Sequence, residues 1–326
     1  MMVDGLNEQL KEFGHQTEVL KIPFLSCYPA MPAQMKAIRS FRISDKFDKL
    51  IAVRTPSYLI KHPEKVIWFI HHHRGAYDFL GTEYQDIPDT KSGRNIRSQI
   101  IEEDNKALRE AEKIFANSRE VQNRLKTFNH IDAEVLYPPL ANNQFYCQEY
   151  GDFLFYPSRV VHHKRQHLAI EAMKYTKSNV KLLIAGQIEK KEMAAFLEKI
   201  IKVNGLFHKV MLINKWISEG EKVSFMAKAL ACVYIPFVED SYGYPTLEAF
   251  SAKKPVITCM DSGGTLELVQ DNETGFISAP DPRELANCFD QLYFDKKLAK
   301  RLGEAGYEKM KSMNISWEYV IRRLLH

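Results

Sequence analysis

Two rhythms of hydrophobic and polar positions divide the chain. Short, mostly apolar runs recur at Val66 to Ile70, Lys113 to Asn117, Phe153 to Tyr156, Val180 to Gly186, Lys209 to Asn214, Cys232 to Phe237 and Pro255 to Cys259. Runs of this kind read as strands of a parallel sheet covered on both faces. Between them the apolar positions fall three and four apart, the spacing of an amphipathic helix. Leu6, Leu10 and Phe13 predict a first helix stopped by Gly14, followed by a strand over Val19 to Phe24. Leu50 to Tyr58 reads as a short strand and a turn into helix. Ile96, Ile100, Ile101, Ala107, Leu108 and Ala111 mark a long helix over Arg94 to Ala111, and Ser118 caps another over Arg119 to Phe128. Further helices are expected at Met193 to Val203, from Thr246 with Pro245 near its start, from Asp281, and at Ser316 to Leu325 with Trp317, Val320, Ile321 and Leu324 apolar. Strand and helix alternate through both halves, which predicts two doubly wound α/β domains facing a cleft. The double proline at Pro138 and Pro139, the polar Asn142, Asn143 and Gln144, and the stretch Gln148 to Asp152 put the boundary between Leu140 and Gly151.

Bulk composition narrows the classes. At 326 residues and 45% hydrophobic content the chain is long enough for about two domains with sizeable cores. The net charge of +4 does not by itself mark a nucleic-acid binder. Five scattered cysteines without a C-x-x-C pair argue against a disulfide framework and a structural zinc site, and point to a reducing cytosol. No apolar run is long enough to span a membrane and no signal-peptide pattern opens the chain, so a soluble or at most surface-bound protein is expected. Between Lys36 and Lys61 seven basic residues face two acids, Asp45 and Asp48. The stretch reads either as a solvated face or as a patch for an anionic membrane surface.

The chemistry concentrates at strand ends. Asp240 and Glu248 stand eight positions apart around Gly243 and Pro245, where the run Cys232 to Phe237 gives way to a helix. A loop at the carboxyl end of a parallel strand is where open α/β sheets bind ligands, and the helix N-terminus behind it favours an anion. The two acids suit hydroxyl groups of a polyhydroxylated, phosphorylated compound. Arg159 and Lys164, between a strand and a helix, form an anion site of their own. Fixed cations there would stabilise a leaving diphosphate more in the transition state than in the ground state. Arg165 is either a third cation or a solvated side chain, and His163 and His167 lack a third metal ligand. Gly263 and Gly264 allow a close backbone approach to a ligand. His71, His72 and His73 follow the run ending at Ile70 and leave three readings open: zinc ligands, a structural turn, or a group reaching into a cleft. Trp216 is either core or a stacking platform.

The order of these motifs resembles retaining glycosyltransferases of the GT-B fold, the large family of glycosyl transferases group 1. The likeness covers Asp152 to Leu325 motif by motif and the first half more loosely. It implies that residues 1–145 form an acceptor-side Rossmann-like domain, residues 146–312 the nucleotide-sugar domain, and residues 313–326 a helix crossing back onto the first. It assigns Arg159 and Lys164 to the diphosphate, Asp240 or its neighbour Glu239 to the donor sugar, Glu248 to the ribose, and the turn at Trp216 and Ile217 to the nucleobase. Gly243 and Tyr244 fall in the same donor site, and His71 is implied to reach the donor sugar. The implied activity is metal-independent, with no cofactor beyond the donor, a UDP-, GDP- or ADP-sugar. A hexose would pass with retention of configuration to a carbohydrate or lipid-linked acceptor in polysaccharide or glycolipid synthesis, in the cytoplasm or at the inner face of the membrane.

The sequence enters directly on its first helix, so the opening strand and glycine-rich turn of such a domain are expected to be missing. Two alternatives follow: a catalytically degenerate nucleotide-sugar-binding or partner-binding protein, and an epimerase of the same fold.

Overall fold

The computed structural model describes residues 2–43, 46–141 and 144–326. Asp45 of the basic stretch and Asn142 and Asn143 of the expected linker lie outside the described residues. The chain divides into two compact units, Met1–Ala141 with Ile315–His326, and Asn142–Asn314.

In the first unit, helices α1 (Met2–Glu12) and α2 (Met31–Arg39) precede strand β1 (Leu50–Ala52) and strand β2 (Lys65–Phe69). After β2 come α3 (Lys91–Arg109), β3 (Lys113–Ala116), α4 (Arg119–Arg124) and β4 (Glu134–Val135). Among the described residues the sheet runs β1-β2-β3-β4, every pair parallel. Ser118 caps α4 by accepting from the Val121 N–H at 3.0 Å, and a π turn, Leu125–Asn129, prolongs that helix. The predicted strand over Val19 to Phe24 does not form. Val19 and Leu20 are exposed, and Pro23 interrupts the stretch, so no buried apolar face holds it against the sheet. Of the basic stretch, Arg39 pairs with Glu103 and Glu110, Lys46 with Glu18, and Lys49 with Glu112. Helix α11 (Trp317–Leu325) belongs to this unit, where Trp317 meets Trp68 edge-on at 6.2 Å and Val320, Ile321 and Leu324 share a core with Leu6 and Leu10 of α1.

Inside α3, Asp104 accepts hydrogen bonds from the Tyr58 and Tyr77 hydroxyls, each at 2.8 Å. Burial pushes its carboxyl from 3.8 up to about 6. The folded unit therefore holds this proton more tightly than the unfolded chain. Its contribution is complete below about pH 4 and is lost as pH rises through about 6. Asp104→Asn should lack that loss, so the unfolding free energies of parent and variant from urea denaturation should diverge across this window, by about 3 kcal/mol. Parallel curves would show that Asp104 does not titrate there.

The second unit carries β5 (Phe153–Pro157), α5 (Gln166–Ala172), β6 (Lys181–Ala185), α6 (Lys191–Val203), β7 (Val210–Ile213), α7 (Glu219–Lys228) and β8 (Ala231–Val233). It continues through α8 (Tyr244–Ser251), β9 (Val256–Cys259), β10 (Gly275–Ser278), α9 (Pro282–Phe294) and α10 (Lys296–Ser312). Its sheet is parallel throughout, in the order β7-β6-β5-β8-β9-β10. That order reverses direction between β5 and β8, which makes the gap outside their carboxyl ends the topological switch point. Helix α5 packs on α6 and α9, and α8 on α10. No helix among the described residues is long and apolar enough to cross a membrane.

Candidate functional site

Three strand ends are laced together at the switch point. Beyond β5 the chain makes a tight turn, His162–Lys164, and Arg165 enters the left-handed region at φ 54° before α5 begins. Beyond β8 the backbone leaves the sheet at Tyr234, sooner than the apolar run to Phe237 predicts. Pro236 has no N–H to give a ladder, and the Ile235 and Pro236 carbonyls accept from the Arg165 guanidinium at 2.8 and 3.0 Å. The same guanidinium grips both oxygens of Asp261, just past β9, at 2.7 Å each. Arg165 is thus neither a third cation for a ligand nor a solvated side chain. It is a buried brace, and although burial works against its charge, Asp261 holds it above the ordinary arginine value.

Lys164 is buried beside that brace. Its ammonium donates to the Tyr234 hydroxyl at 2.8 Å and pairs with Glu239. Of the two neighbouring acids, Glu239 is therefore the one bound to Lys164, while Asp240 is half-buried on the same loop. Arg159 is exposed and reaches Glu189 at 3.8 Å.

The acid loop is braced from behind. Val238 sits at φ 44°, a strained value for a β-branched residue, with its N–H donated to the Asp261 carbonyl at 2.8 Å. Gly264 donates to the Glu239 carbonyl at 2.9 Å, and a Cβ on Gly263 would lie 2.6 Å from Glu239 backbone atoms. The close approach that the paired glycines permit is to this loop. Gly243 caps α8 at φ 71°, and a Cβ there would fall 2.2 Å from the Tyr234 ring, so only glycine lets α8 start against the ring that holds Lys164.

Glu248 lies in α8 and is almost wholly buried. Its Oε1 accepts from the Lys222 ammonium at 2.6 Å, and Glu219 approaches the same ammonium at 3.0 Å. Burial raises the Glu248 carboxyl and Lys222 opposes the rise. Tyr244, half-buried in the same turn, has its phenol pushed up by burial and by Glu248.

Residues 147–309, half of the chain, match the family model described as Glycosyl transferases group 1. The chain belongs to this family. It is 27% identical over 210 residues to the human alpha-1,3/1,6-mannosyltransferase ALG2, covering 57% of this chain and 50% of that protein. The chain spans about half the length of the curated relatives it matches. Sucrose-phosphate synthase from Thermosynechococcus elongatus shares the fold with a TM-score of 0.78 at 17% identity, over 99% of this chain and 90% of that one. Anabaena HepE in complex with UDP-glucose shares it with a TM-score of 0.70 at 15% identity, over 98% and 87%.

Against the family's motifs, the second unit brings Lys164, Glu239 and Gly243 together around the Tyr234 ring, with Asp240 on the same loop and Glu248 in the helix behind it. Trp216 and Ile217 are in the turn between β7 and α7. Trp216 is 64% exposed, so it is not a core residue. His71, in the first unit, is half-buried with Nδ1 2.6 Å from the His72 carbonyl. The three adjacent imidazoles have separate surroundings. His72 is buried against Phe69 and Tyr77 with Nε2 2.6 Å from Asn129 Oδ1, and His73 pairs with Asp86 at 3.1 Å. Arg74 is held by Asp78 at 2.8 Å through Nε. No group of three or more metal-ligating side chains occurs among the described residues.

Lys222, Tyr234 and Asp261 were not singled out from the sequence. The first was within reach of it, because Ser218 and Glu221 form a capping box that starts α7 and puts Lys222 in its first turn. The other two follow from tertiary contacts that leave no spacing signal.

Proposed function

We propose that the chain is a retaining hexosyltransferase that uses a nucleoside diphosphate sugar and a carbohydrate or lipid-linked acceptor. One observation carries the reading: at the switch point a buried lysine, an acid loop and the N-terminus of α8 converge, the set needed to hold a phosphorylated polyol. In this reading Lys164 and Arg159 hold the diphosphate, Asp240 the sugar hydroxyls, Glu248 the ribose, and Trp216 and Ile217 the base. Gly243 and Tyr244 line the same donor site, which belongs to residues 146–312. Among the acceptor-side residues 1–145, His71 is the candidate for the donor sugar. The cations take up the charge that grows on the departing phosphate, and that phosphate helps to accept the acceptor's proton. No side-chain nucleophile and no metal are required. The mannosyltransferase relative and the UDP-glucose complex of a fold neighbour support a sugar-nucleotide donor.

Thermal unfolding of the full chain with UDP, GDP, ADP and their sugar conjugates tests the reading, with and without EDTA. One nucleotide is expected to raise the midpoint in both conditions. At a hundredfold excess over Kd the gain is roughly 2.7 kcal/mol. No shift with any of them would remove the donor-site assignment and leave the degenerate, partner-binding alternative.

A further inference from the structure

A buried lysine in an ordinary helix face costs desolvation, and an apolar residue of similar size is often no less stable. Lys222 is such a residue: it lies on α7, is 9% exposed, and spends its ammonium on Glu248 at 2.6 Å and Glu219 at 3.0 Å. Burial works against its charge, yet Glu248 and Glu219 hold the ammonium above the ordinary lysine value. The pairing uses Oε1 of Glu248, and Oε2 takes no hydrogen bond among the described residues. One carboxylate oxygen is anchored and the other is left to a ligand.

We propose that Lys222 is a positioning residue for nucleotide binding: by anchoring Oε1 of Glu248 it aims Oε2, as a charged acceptor, at a ribose hydroxyl. The proposal rests on the nucleotide-sugar reading above and adds a residue to it. A charged acceptor makes a stronger hydrogen bond than a neutral one. The other titratable groups facing Glu248 are Glu219 on α7, Cys232 on β8 and Tyr244 on α8. Burial raises both the Cys232 thiol and the Tyr244 phenol, so both stay neutral near pH 7. Glu219 adds negative charge. Lys222 is therefore the cation that opposes the rise burial gives the Glu248 carboxyl, among the described residues.

Removing that cation lets burial and Glu219 drive Glu248 toward its protonated form. Binding that needs the carboxylate then becomes weaker as pH falls and recovers as pH rises. The test is calorimetric titration of the full chain with UDP, GDP and ADP from pH 6 to 9, in the parent and in Lys222→Met, Lys222→Gln, Lys222→Arg and Glu248→Gln. The parent and Lys222→Arg should bind one nucleotide with a nearly flat profile. Lys222→Met or Lys222→Gln, whichever folds, should be about tenfold weaker at pH 6 and approach the parent at pH 9. Glu248→Gln should be weak and flat. A loss of the same factor at every pH, or no loss, would overturn the positioning role, because a merely structural lysine gives no slope. If the parent binds none of the three nucleotides, the donor-site reading itself fails and the proposal falls with it.

Discussion

Lys164→Ala should lower kcat for sugar transfer by roughly 10²–10³-fold, the cost of removing one preorganised charge from a developing oxyanion. The expectation follows from how the ammonium is held. It is buried, and two of its three donors are fixed by the Tyr234 hydroxyl and by Glu239, leaving one for a phosphoryl oxygen. Arg159 differs, being exposed with one ion pair at 3.8 Å, so Arg159→Ala should cost less. KM for the donor should change little in Lys164→Ala, since charge on the leaving phosphate grows mainly after binding. Steady-state kinetics with the donor found in the nucleotide panel would check this. An unchanged kcat would remove Lys164 from the leaving-group site.

The second large effect is structural. Arg165→Ala should lower stability by about 3–5 kcal/mol, because it strands the Asp261 carboxylate and two carbonyls that the guanidinium now satisfies. Arg165→Gly should be about 1 kcal/mol better than alanine, since the position is left-handed and only glycine adopts it without cost. Urea denaturation of the three proteins gives the order parent, glycine, alanine. Alanine equal to the parent would mean that the brace contributes no stability.

Most strands and helices were legible because a buried parallel sheet requires unbroken apolar runs and its covering helices require one apolar stripe. The eight-residue spacing of Asp240 and Glu248 was legible for a similar reason: strand end, loop and helix start follow one another locally. The misreadings lie where distant residues decide. Val19 to Phe24 has a strand's composition without a neighbour to bury it. Cys232 to Phe237 is apolar throughout, yet Arg165, seventy positions earlier at Ile235, takes the carbonyls that would extend the ladder. Trp216 has the composition of a core residue and stands in solvent. The pairing of Lys164 with Glu239 rather than Asp240 depends on which way a bent loop turns, and spacing carries no information about that.

The packing of α11 with α1 sets an order of events during synthesis. The core that joins Leu6 and Leu10 to Val320, Ile321 and Leu324 cannot close until α11 has left the ribosome. Residues 142–314 form a continuous segment with its own sheet, so they can complete their fold while the other unit still waits for α11. The unit that contains α1 therefore closes after the other has been made, and until α11 docks the apolar faces of β2 and α1 stay open to chaperones or to neighbouring chains.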